Sequence, residues 1–309
     1  MLVIVNPYAT SVDRRMRDLV MAALSSRYEL AVADTTAPGH AGELAAAAAG
    51  DGTEVVATLG GDGTLNEAAA ALAASGVPVY PLPGGSQNVF AKLLGLPSEI
   101  VDSTARLLEL VDEWPLRQVD LGRANDRVFT FSAGVGLDAR VVEKVDANPE
   151  RKAQLRQWYY LQRGISVFLR SYALRRPRMI IETDGGEVTA STVLVQNGAH
   201  FTFAGARPVT LCGGVDLDSG SLSAALVKTG APLKAAITAI RIVGATAESG
   251  GSNGTEQLGP LTALRVRASD EQPLPLQVDG DFAGEHEIVE FAITPGALTV
   301  LAPTPKRPA

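Results

Sequence analysis

The stretch Leu59-Gly60-Gly61-Asp62-Gly63-Thr64-Leu65-Asn66-Glu67 decides the fold of the first part of the chain. The apolar run Val55–Leu59 leads into it and the alanine-rich run Glu67–Ala74 follows, an order that predicts strand, tight turn and helix. Glycines let backbone N–H groups approach a bulky anion, and a helix start carries positive partial charge, so we expect a phosphate site. Asp62 suits such a site if a divalent cation separates it from the phosphate, or if it orients a nucleophile. The alternative is a structural turn with Asp62 as the helix N-cap.

Around this turn, the first third of the chain alternates short apolar runs with helical runs. The expected strands are Leu2–Val5, Tyr28–Ala33, Glu54–Leu59 and Val77–Leu82. The expected helices are Asp13–Ser25, Gly42–Ala49, Leu65–Ala74 and Gln87–Leu94. This alternation predicts an α/β domain with a mostly parallel sheet, whose ligands bind beyond the carboxyl ends of the strands. The segments expected to converge there are Asn6-Pro7, Thr35, Gly60–Thr64 and Gly84–Ser86.

From about Val119 onward, short alternating strands replace this pattern and predict an antiparallel β-sandwich domain. The expected strands cover residues 128–132, 178–183, 192–196, 221–227, 264–268, 276–279, 287–293 and 297–301. We therefore predict a nucleotide-binding α/β domain over 1–120 and a β-rich, lipid-substrate domain over 121–302. The second domain carries a helical insertion near 150–175, and its final strand could return to the first domain. Residues 303–309 are expected to form a disordered tail.

Composition and charge narrow the functional classes. The 309 residues are 46% hydrophobic and 20% charged, enough for a full core. Neither a signal peptide nor an apolar stretch long enough to span a membrane is expected. Cys212 is the only cysteine, which favours a cytoplasmic location, and His40, His200 and His286 lack the spacing of zinc ligands. A net charge of −7 argues against a nucleic-acid partner.

One basic segment stands out against this acidic background. Arg151–Arg178 contains basic residues but no acidic one. On a helical wheel Lys152, Arg156, Arg163 and Arg170 share one side, opposite Trp158, Leu161, Ile165, Phe168 and Tyr172. Such a helix suits an anionic membrane surface, which would place the protein peripherally at the inner membrane face. The alternative is that the apolar side packs on its own domain and the arginines are merely solvated.

Three further clusters carry polar side chains after strands. In Thr35–Ala41, hydroxyls precede a helix start and could meet a nucleotide. In Pro83–Ala91, a second glycine turn leads into a helix, and Ser86 could contact a phosphate or simply cap that helix. In Val278–Asp281, two carboxylates flank a glycine, for which a solvated β-turn is the alternative.

Together these motifs resemble the diacylglycerol kinase catalytic family, which includes bacterial lipid kinases, sphingosine kinases and ceramide kinases. The resemblance covers nearly the whole chain and includes Asn6-Pro7, residues 35–41, 60–67 and 85–88, Gly134–Asp138 and Asp279–Asp281. It implies transfer of the γ-phosphoryl group of ATP to a lipid hydroxyl with Mg²⁺, in a cleft between a nucleotide domain and a β-sandwich domain. It also implies catalytic roles for Asp62 and for Asp281, which stands where the family has a glutamate proposed as proton acceptor. The nucleotide-binding residues it implies are Asn6, Thr35, Gly60, Gly61, Asp62, Gly63, Thr64, Leu65, Asn66, Glu67 and Ser86.

The sequence departs from this family at three positions. Asp281 is one methylene shorter than the family's glutamate, which changes its reach. Val89 follows Asn88 where the family commonly has aspartate. Many bacterial members carry Asp-Asp-Gly-x-Leu near a structural Mg²⁺, and here Ser219 takes the place of an acidic ligand. The remaining candidate ligands for a hard cation are Asp216, Asp218 and Ser221.

The leading hypothesis is an ATP- and Mg²⁺-dependent kinase of diacylglycerol or a related lipid alcohol. The chain has neither the Gly-x-x-x-x-Gly-Lys-Ser/Thr motif nor the protein-kinase lysine–glutamate signature. A soluble acceptor such as NAD is an alternative, because NAD kinases share the Gly-Gly-Asp-Gly turn. The altered acidic positions support a third hypothesis, a catalytically weak lipid- or nucleotide-binding protein. The sequence does not identify the lipid, and a homodimer paired through an edge strand stays open.

Overall fold

The structure is a computed structural model that describes residues 1–9, 12–136, 179–183, 185–228, 255–270 and 272–304. Contacts divide the chain into two units. The first is Met1–Asp120 together with Pro295–Ala309, and the second is Leu121–Thr294. The predicted helical insertion, the basic segment Arg151–Arg178 and Leu137-Asp138 lie outside the described residues, as do residues 305–309 of the predicted tail.

The first unit alternates strands and helices. Its elements are β1 (Leu2–Val5), α1 (Arg14–Leu24), β2 (Ala31–Asp34), α2 (His40–Gly50), β3 (Val56–Gly60), α3 (Asp62–Leu72), β4 (Val79–Pro83), α4 (Val89–Leu93) and α5 (Ile100–Glu113). The strands form a parallel sheet in the order β2-β1-β3-β4. Every residue of β3 and β4 is buried, as expected where helices cover both faces of a parallel sheet. The predicted parallel α/β domain is confirmed.

The second unit is built of antiparallel strands. They are β6 (Arg127–Phe129), β7 (Ser132–Gly136), β8 (Met179–Thr183), β9 (Gly186–Ala190), β10 (Thr192–Gln196), β11 (Thr202–Ala204), β12 (Arg207–Val209), β13 (Leu222–Val227), β14 (Thr255–Leu261), β15 (Ala263–Ala268), β16 (Leu274–Val278) and β17 (Asp281–His286). Two longer strands, β5 (Leu116–Ala124) and β18 (Ile288–Leu301), carry the chain between the units.

Two sheets of this second unit share one hydrophobic core. One sheet has the order β14-β13-β10-β7-β16-β17, and the other joins the first half of β18 to β15, β8 and β9. Val135 and Leu276 of the first sheet and Val266 and Phe291 of the second belong to the same buried cluster. This arrangement confirms the predicted antiparallel sandwich.

Several predicted elements have different bounds in the structure. The strand expected at 28–33 is β2 at 31–34, because Tyr28 instead closes α1 through a bond from its N–H to the carbonyl of Leu24 (3.0 Å). The two strands expected at 287–293 and 297–301 are the single strand β18. The Pro295-Gly296 step does not end it, and Gly296 N–H donates to Asp120 Oδ1 (2.8 Å). Helix α5 was not predicted.

Helix α5 had a signal in the sequence. Its buried positions Ile100, Thr104, Leu107 and Leu110 recur every three or four residues, which is typical of an amphipathic helix. Tyr28 hydroxyl donates to the carbonyl of Leu107 (3.1 Å), which ties α5 to the end of α1. No helix in the described part of the chain has the length and apolar character needed to cross a bilayer.

Candidate active site

The Gly60-Gly61 turn joins β3 directly to α3. Gly61 is the N-cap residue, and its backbone is extended (φ −91°, ψ −175°), so no left-handed conformation is required there. Close packing favours glycine at positions 60 and 85 instead. A Cβ on Gly60 would lie 2.6 Å from Thr64 Oγ1, and a Cβ on Gly85 would lie 2.6 Å from the Cα of Gly61. The two glycine turns therefore pack backbone to backbone.

Asp62 is the first residue of α3 rather than its N-cap, so the alternative that made it an N-cap is wrong. Its Oδ1 accepts a hydrogen bond from the backbone N–H of Phe90 in α4 (3.2 Å). Burial lowers the pKa of Lys92 on the same helix, and the negative charge of Asp62 partly offsets that shift. Asp62 is thus held by a backbone donor of α4 close to a lysine. Lys92 was not among the predicted site residues, although the sequence places this cation shortly after the second glycine turn.

Asn6 links the end of β1 to the start of α3. Its backbone N–H donates to the carbonyl of Leu59 (2.9 Å), and its Nδ2 donates to Thr64 Oγ1 (3.2 Å). Its Oδ1 accepts from the N–H of Tyr8 (3.0 Å). The structure therefore brings together Asn6 and the glycine turn at the carboxyl edge of the sheet, where they were predicted to converge.

Glu67 binds the start of α2. Its Oε1 accepts from Gly39 N–H (2.8 Å) and its Oε2 from Ala41 N–H (3.2 Å), so the carboxylate occupies the positive end of that helix. His40 Nδ1 accepts from Thr36 N–H (3.1 Å), which leaves the proton of a neutral ring on Nε2. Thr35 is buried, and its N–H donates to the carbonyl of Val5 (2.8 Å). The residues 35–41 are therefore positioned largely by Glu67 and β1.

The second glycine turn is closed by Asn88. Asn88 Oδ1 accepts from Gly85 N–H (3.0 Å), and its Nδ2 donates to the carbonyl of Gly85 (2.9 Å). Asn88 has a left-handed backbone (φ 49°) and is the N-cap residue of α4, so Ser86 does not cap that helix. Ser86 is exposed.

A small crevice lies beside the two glycine turns. Its walls include Gly60, Gly61, Asp62, Leu65 and Asn88. Leu65 is 2% exposed, so its side chain belongs to the core as well as to this wall. Gly63 and Asn66 lie in the first turns of α3.

The Asp279-Gly280 turn of the second unit separates two carboxylates with different surroundings. Asp279 is buried, and each of its oxygens accepts two hydrogen bonds. Oδ2 binds Thr130 N–H (2.7 Å) and Oγ1 (2.8 Å), and Oδ1 binds the N–H groups of Phe131 and Ser132 (3.0 Å each). Burial raises the pKa of the Asp279 carboxyl, and these hydrogen bonds partly offset the increase. The alternative of a simply solvated turn is wrong for Asp279.

Asp281 is the first residue of β17 and is exposed. Asp279 and Gly280 both have positive φ (48° and 88°), as in the two-residue turns that join tight hairpins. Gly280 N–H also donates to Gln277 Oε1 (2.9 Å). The turn before Asp281 is therefore held by the hydrogen bonds of Asp279 and by the bond between Gly280 and Gln277.

The candidate cation ligands lie in one loop of the second unit, before β13. Asp216 and Asp218 are exposed, and Ser221 is buried. The hydroxyl of Ser219 contacts atoms of both Asp216 and Ser221. The described segments contain no cluster of three or more His, Cys, Asp or Glu side chains suited to a metal ion.

Residues 1–124 match the sequence model of the family described as diacylglycerol kinase catalytic domain. This part of the chain is therefore similar to that family. Curated relatives extend the similarity along the chain. A Pseudomonas aeruginosa protein named "Probable lipid kinase YegS-like" is 29% identical over 296 residues, which are 94% of this chain and 90% of that protein. A Mycobacterium tuberculosis protein named diacylglycerol kinase is 28% identical over 267 residues, 84% of this chain and 80% of that one.

The chain is also similar to a longer protein and to a protein of known crystal structure. An uncharacterized protein of Synechocystis is 26% identical over 254 residues, and the match spans only 56% of its length. A crystal structure of a candidate diacylglycerol kinase from Bacillus anthracis str. Sterne superposes with a TM-score of 0.75. It covers 98% of this chain and 96% of that one at 22% identity, which shows that the two share a fold.

In the first unit, the two helix starts near the sheet edge differ in one respect. The start of α2 is filled by the Glu67 carboxylate. At the start of α3, the N-cap residue is Gly61, which makes no side-chain capping hydrogen bond, and the N–H groups of a helix start are donors suited to an anion. Asp62 lies at that same start, where its carboxylate could hold a cation. The donor set therefore fits a phosphate chain with Mg²⁺ better at α3 than at α2.

Proposed function

We propose that the chain is an ATP- and Mg²⁺-dependent lipid kinase that phosphorylates the hydroxyl of diacylglycerol or a related lipid alcohol. The observation that carries this proposal is the glycine N-cap of α3 beside two closely packed glycine turns, with Asp62 at the first position of the helix. The match of residues 1–124 to the diacylglycerol kinase catalytic domain and the names of the relatives support it.

In the proposed mechanism, the first N–H groups of α3 bind phosphate oxygens of ATP. Asp62 would hold Mg²⁺ at this turn, and the ion would supply positive charge that neutralises the phosphoryl oxygens. Asn6 holds Thr64, and the contact between Gly61 and Gly85 keeps side chains out of the phosphate path. These residues act by positioning, which is the main source of acceleration in phosphoryl transfer.

Asp281 is the proposed general base. Its exposed carboxylate accepts the proton of the lipid hydroxyl as the alcohol oxygen attacks the γ-phosphorus. The bond from the γ-phosphorus to the β,γ-bridging oxygen breaks, and ADP leaves. Asp279 does not take part in this transfer. Its four hydrogen bonds hold the turn that positions Asp281.

The test is transfer from labelled ATP with Mg²⁺ to diacylglycerol in mixed micelles, with NAD in a parallel tube. We expect labelled lipid, and we expect Asp62→Asn to abolish it while leaving the thermal unfolding midpoint unchanged. Labelled NAD would instead support the alternative of a soluble acceptor. ATP binding without transfer to any acceptor would support a binding protein. Normal turnover by Asp62→Asn would refute the assigned site.

We also propose a peripheral contact with anionic membrane at the cytoplasmic face through Arg151–Arg178. This proposal rests on sequence alone, since the segment lies outside the described residues. Co-sedimentation with phosphatidylserine vesicles tests it, with phosphatidylcholine vesicles as the control. Replacing Arg163 and Arg170 by glutamate should weaken only the phosphatidylserine binding. Equal binding to both kinds of vesicle would contradict the electrostatic contact.

A further inference from the structure

The loop from Asp216 to Ser221 is organised around one hydroxyl group. Ser219 Oγ donates to the carbonyl oxygen of Asp216 (2.9 Å) and accepts from the N–H of Asp216 (3.2 Å). It also lies 3.1 Å from Ser221 Oγ and 3.4 Å from the Ser221 carbonyl oxygen. The N–H of Ser219 donates to the same Asp216 carbonyl (3.1 Å). The hydroxyl thus joins the two ends of the loop.

These contacts use the full bonding capacity of a serine hydroxyl. Such a group donates once and accepts twice. Donation to the Asp216 carbonyl leaves two acceptor sites, and the Asp216 N–H and the Ser221 hydroxyl fill them. The loop is therefore closed without any further ligand.

The oxygens that meet at Ser219 are neutral. They are the backbone carbonyls of Asp216 and Ser221 and the Ser221 hydroxyl, all within 3.4 Å of Ser219 Oγ, while Asp216 Oδ1 accepts from the N–H of Leu217 (2.8 Å). Mg²⁺ dehydrates reluctantly and is usually held by one or two carboxylates in a nearly ideal octahedron. Neutral oxygen ligands offset little of the free-energy cost of removing water from the ion. This loop therefore fits poorly the structural Mg²⁺ that the family resemblance implies.

The chain leading into the loop is also held by hydrogen bonds. Gln257 Nε2 donates to the carbonyl of Leu211 (2.7 Å), and Gln196 Nε2 donates to the carbonyl of Cys212 (2.8 Å). Val215 and Leu217 are buried, which anchors the loop itself. Amide side chains and apolar contacts thus supply the fixation that a bound cation would otherwise provide.

We propose that the Ser219 hydroxyl replaces a structural cation, so that the loop keeps its shape by hydrogen bonds and binds no divalent cation at Asp216, Asp218 and Ser221. The proposal concerns the folded loop alone. It holds whether or not the chain transfers phosphate, and its test needs no nucleotide.

The experiment measures thermal unfolding of the nucleotide-free protein in EDTA and in millimolar Mg²⁺ or Ca²⁺. We expect the same Tm for the wild type in all three conditions. Ser219→Ala should lower Tm by roughly 2–4 °C, and neither cation should restore it. Ser219→Asp adds a carboxylate beside Asp216 and Asp218, so it should unfold earlier in EDTA and recover when a cation is added.

Asp218→Asn is the matched control, because it removes a candidate ligand and leaves Ser219 in place. Its Tm should respond to cations as little as that of the wild type does. A rise in wild-type Tm with Mg²⁺ or Ca²⁺ that disappears in Asp218→Asn would overturn the proposal, because a cation would then occupy the loop. A Ser219→Ala protein as stable as the wild type would overturn it as well, because the hydroxyl would then not hold the loop.

Discussion

The Asp279-Gly280-Asp281 turn contains two aspartates, and replacing each in turn by asparagine should have different effects. Asp279→Asn replaces one of two carboxylate oxygens by an NH₂ group. Each oxygen accepts two hydrogen bonds, so the NH₂ group that replaces one oxygen faces two donors and can accept a hydrogen bond from neither. Asp281→Asn changes an exposed side chain at the start of β17. The first should affect mainly stability, and the second mainly catalysis.

The magnitude for Asp279→Asn follows from the two lost bonds. Hydrogen bonds to a charged group contribute about 1.5–3 kcal/mol each, so the two account for roughly 3–6 kcal/mol. The variant also removes the cost of burying a charge, the effect that raises the Asp279 pKa, and this offsets part of the loss. We expect a net decrease of about 2–4 kcal/mol in the free energy of unfolding, or a Tm lower by roughly 5–15 °C.

The assay is urea unfolding of both variants beside transfer of labelled phosphate to diacylglycerol. For Asp281→Asn we expect stability within about 0.5 kcal/mol of the wild type, as is usual for an exposed residue, together with loss of transfer. An Asp279→Asn protein as stable as the wild type would refute the role given to its hydrogen bonds. Equal destabilisation by both substitutions would refute the division of roles within the turn.

Three further predictions concern the first unit. Gly85→Ala places a Cβ 2.6 Å from the Cα of Gly61, so we expect a loss of about 1–3 kcal/mol and weaker ATP binding by calorimetry, whereas Gly50→Ala, which meets no atom within 4 Å, should not destabilise. Glu67→Gln puts an NH₂ group against a backbone donor of α2 and should cost about 1–2 kcal/mol in urea unfolding, and an unchanged stability would contradict the capping contact. Burial raises the pKa of Tyr80 to about 12, so its protonated form stabilises the folded state fully below pH 10 and this contribution disappears as the pH rises towards 12. The stability difference between the wild type and Tyr80→Phe should therefore shrink over that range, and a constant difference would be the contrary result.

The sequence predicted the order of elements better than their bounds or contacts. Alternating apolar and helical runs were sufficient to predict the parallel sheet and the sandwich. They could not show that α3 begins at Asp62, because glycine and threonine are weak helix formers and only the tertiary setting places Gly63 and Thr64 inside the helix. Nor could they show that the Tyr28 N–H bonds back to Leu24 at the end of α1, because a tyrosine before an apolar run is typical of a strand.

The contacts of the site depended on distances between segments far apart in the chain. Glu67 follows the Gly60-Gly61 turn in the sequence, yet its carboxylate accepts hydrogen bonds from the N–H groups of Gly39 and Ala41. The two carboxylates at 279 and 281 look equivalent in the sequence, and only the fold buries the first among donors from residues 130–132. Spacing indicates which residues lie at the same sheet edge, but not which neighbour each side chain bonds.

The contact between Gly61 and Gly85 has a consequence for how this chain can change over generations. A mutation at one position of a packed pair is often tolerated when its neighbour becomes smaller. Here neither neighbour can become smaller, because both already lack a side chain. The constraint falls on Gly85, because a Cβ on Gly61 would make an ordinary contact of 3.5 Å with the Cα of Gly85. A mutagenesis library that varies this region should therefore keep Gly85 constant to remain rich in folded clones.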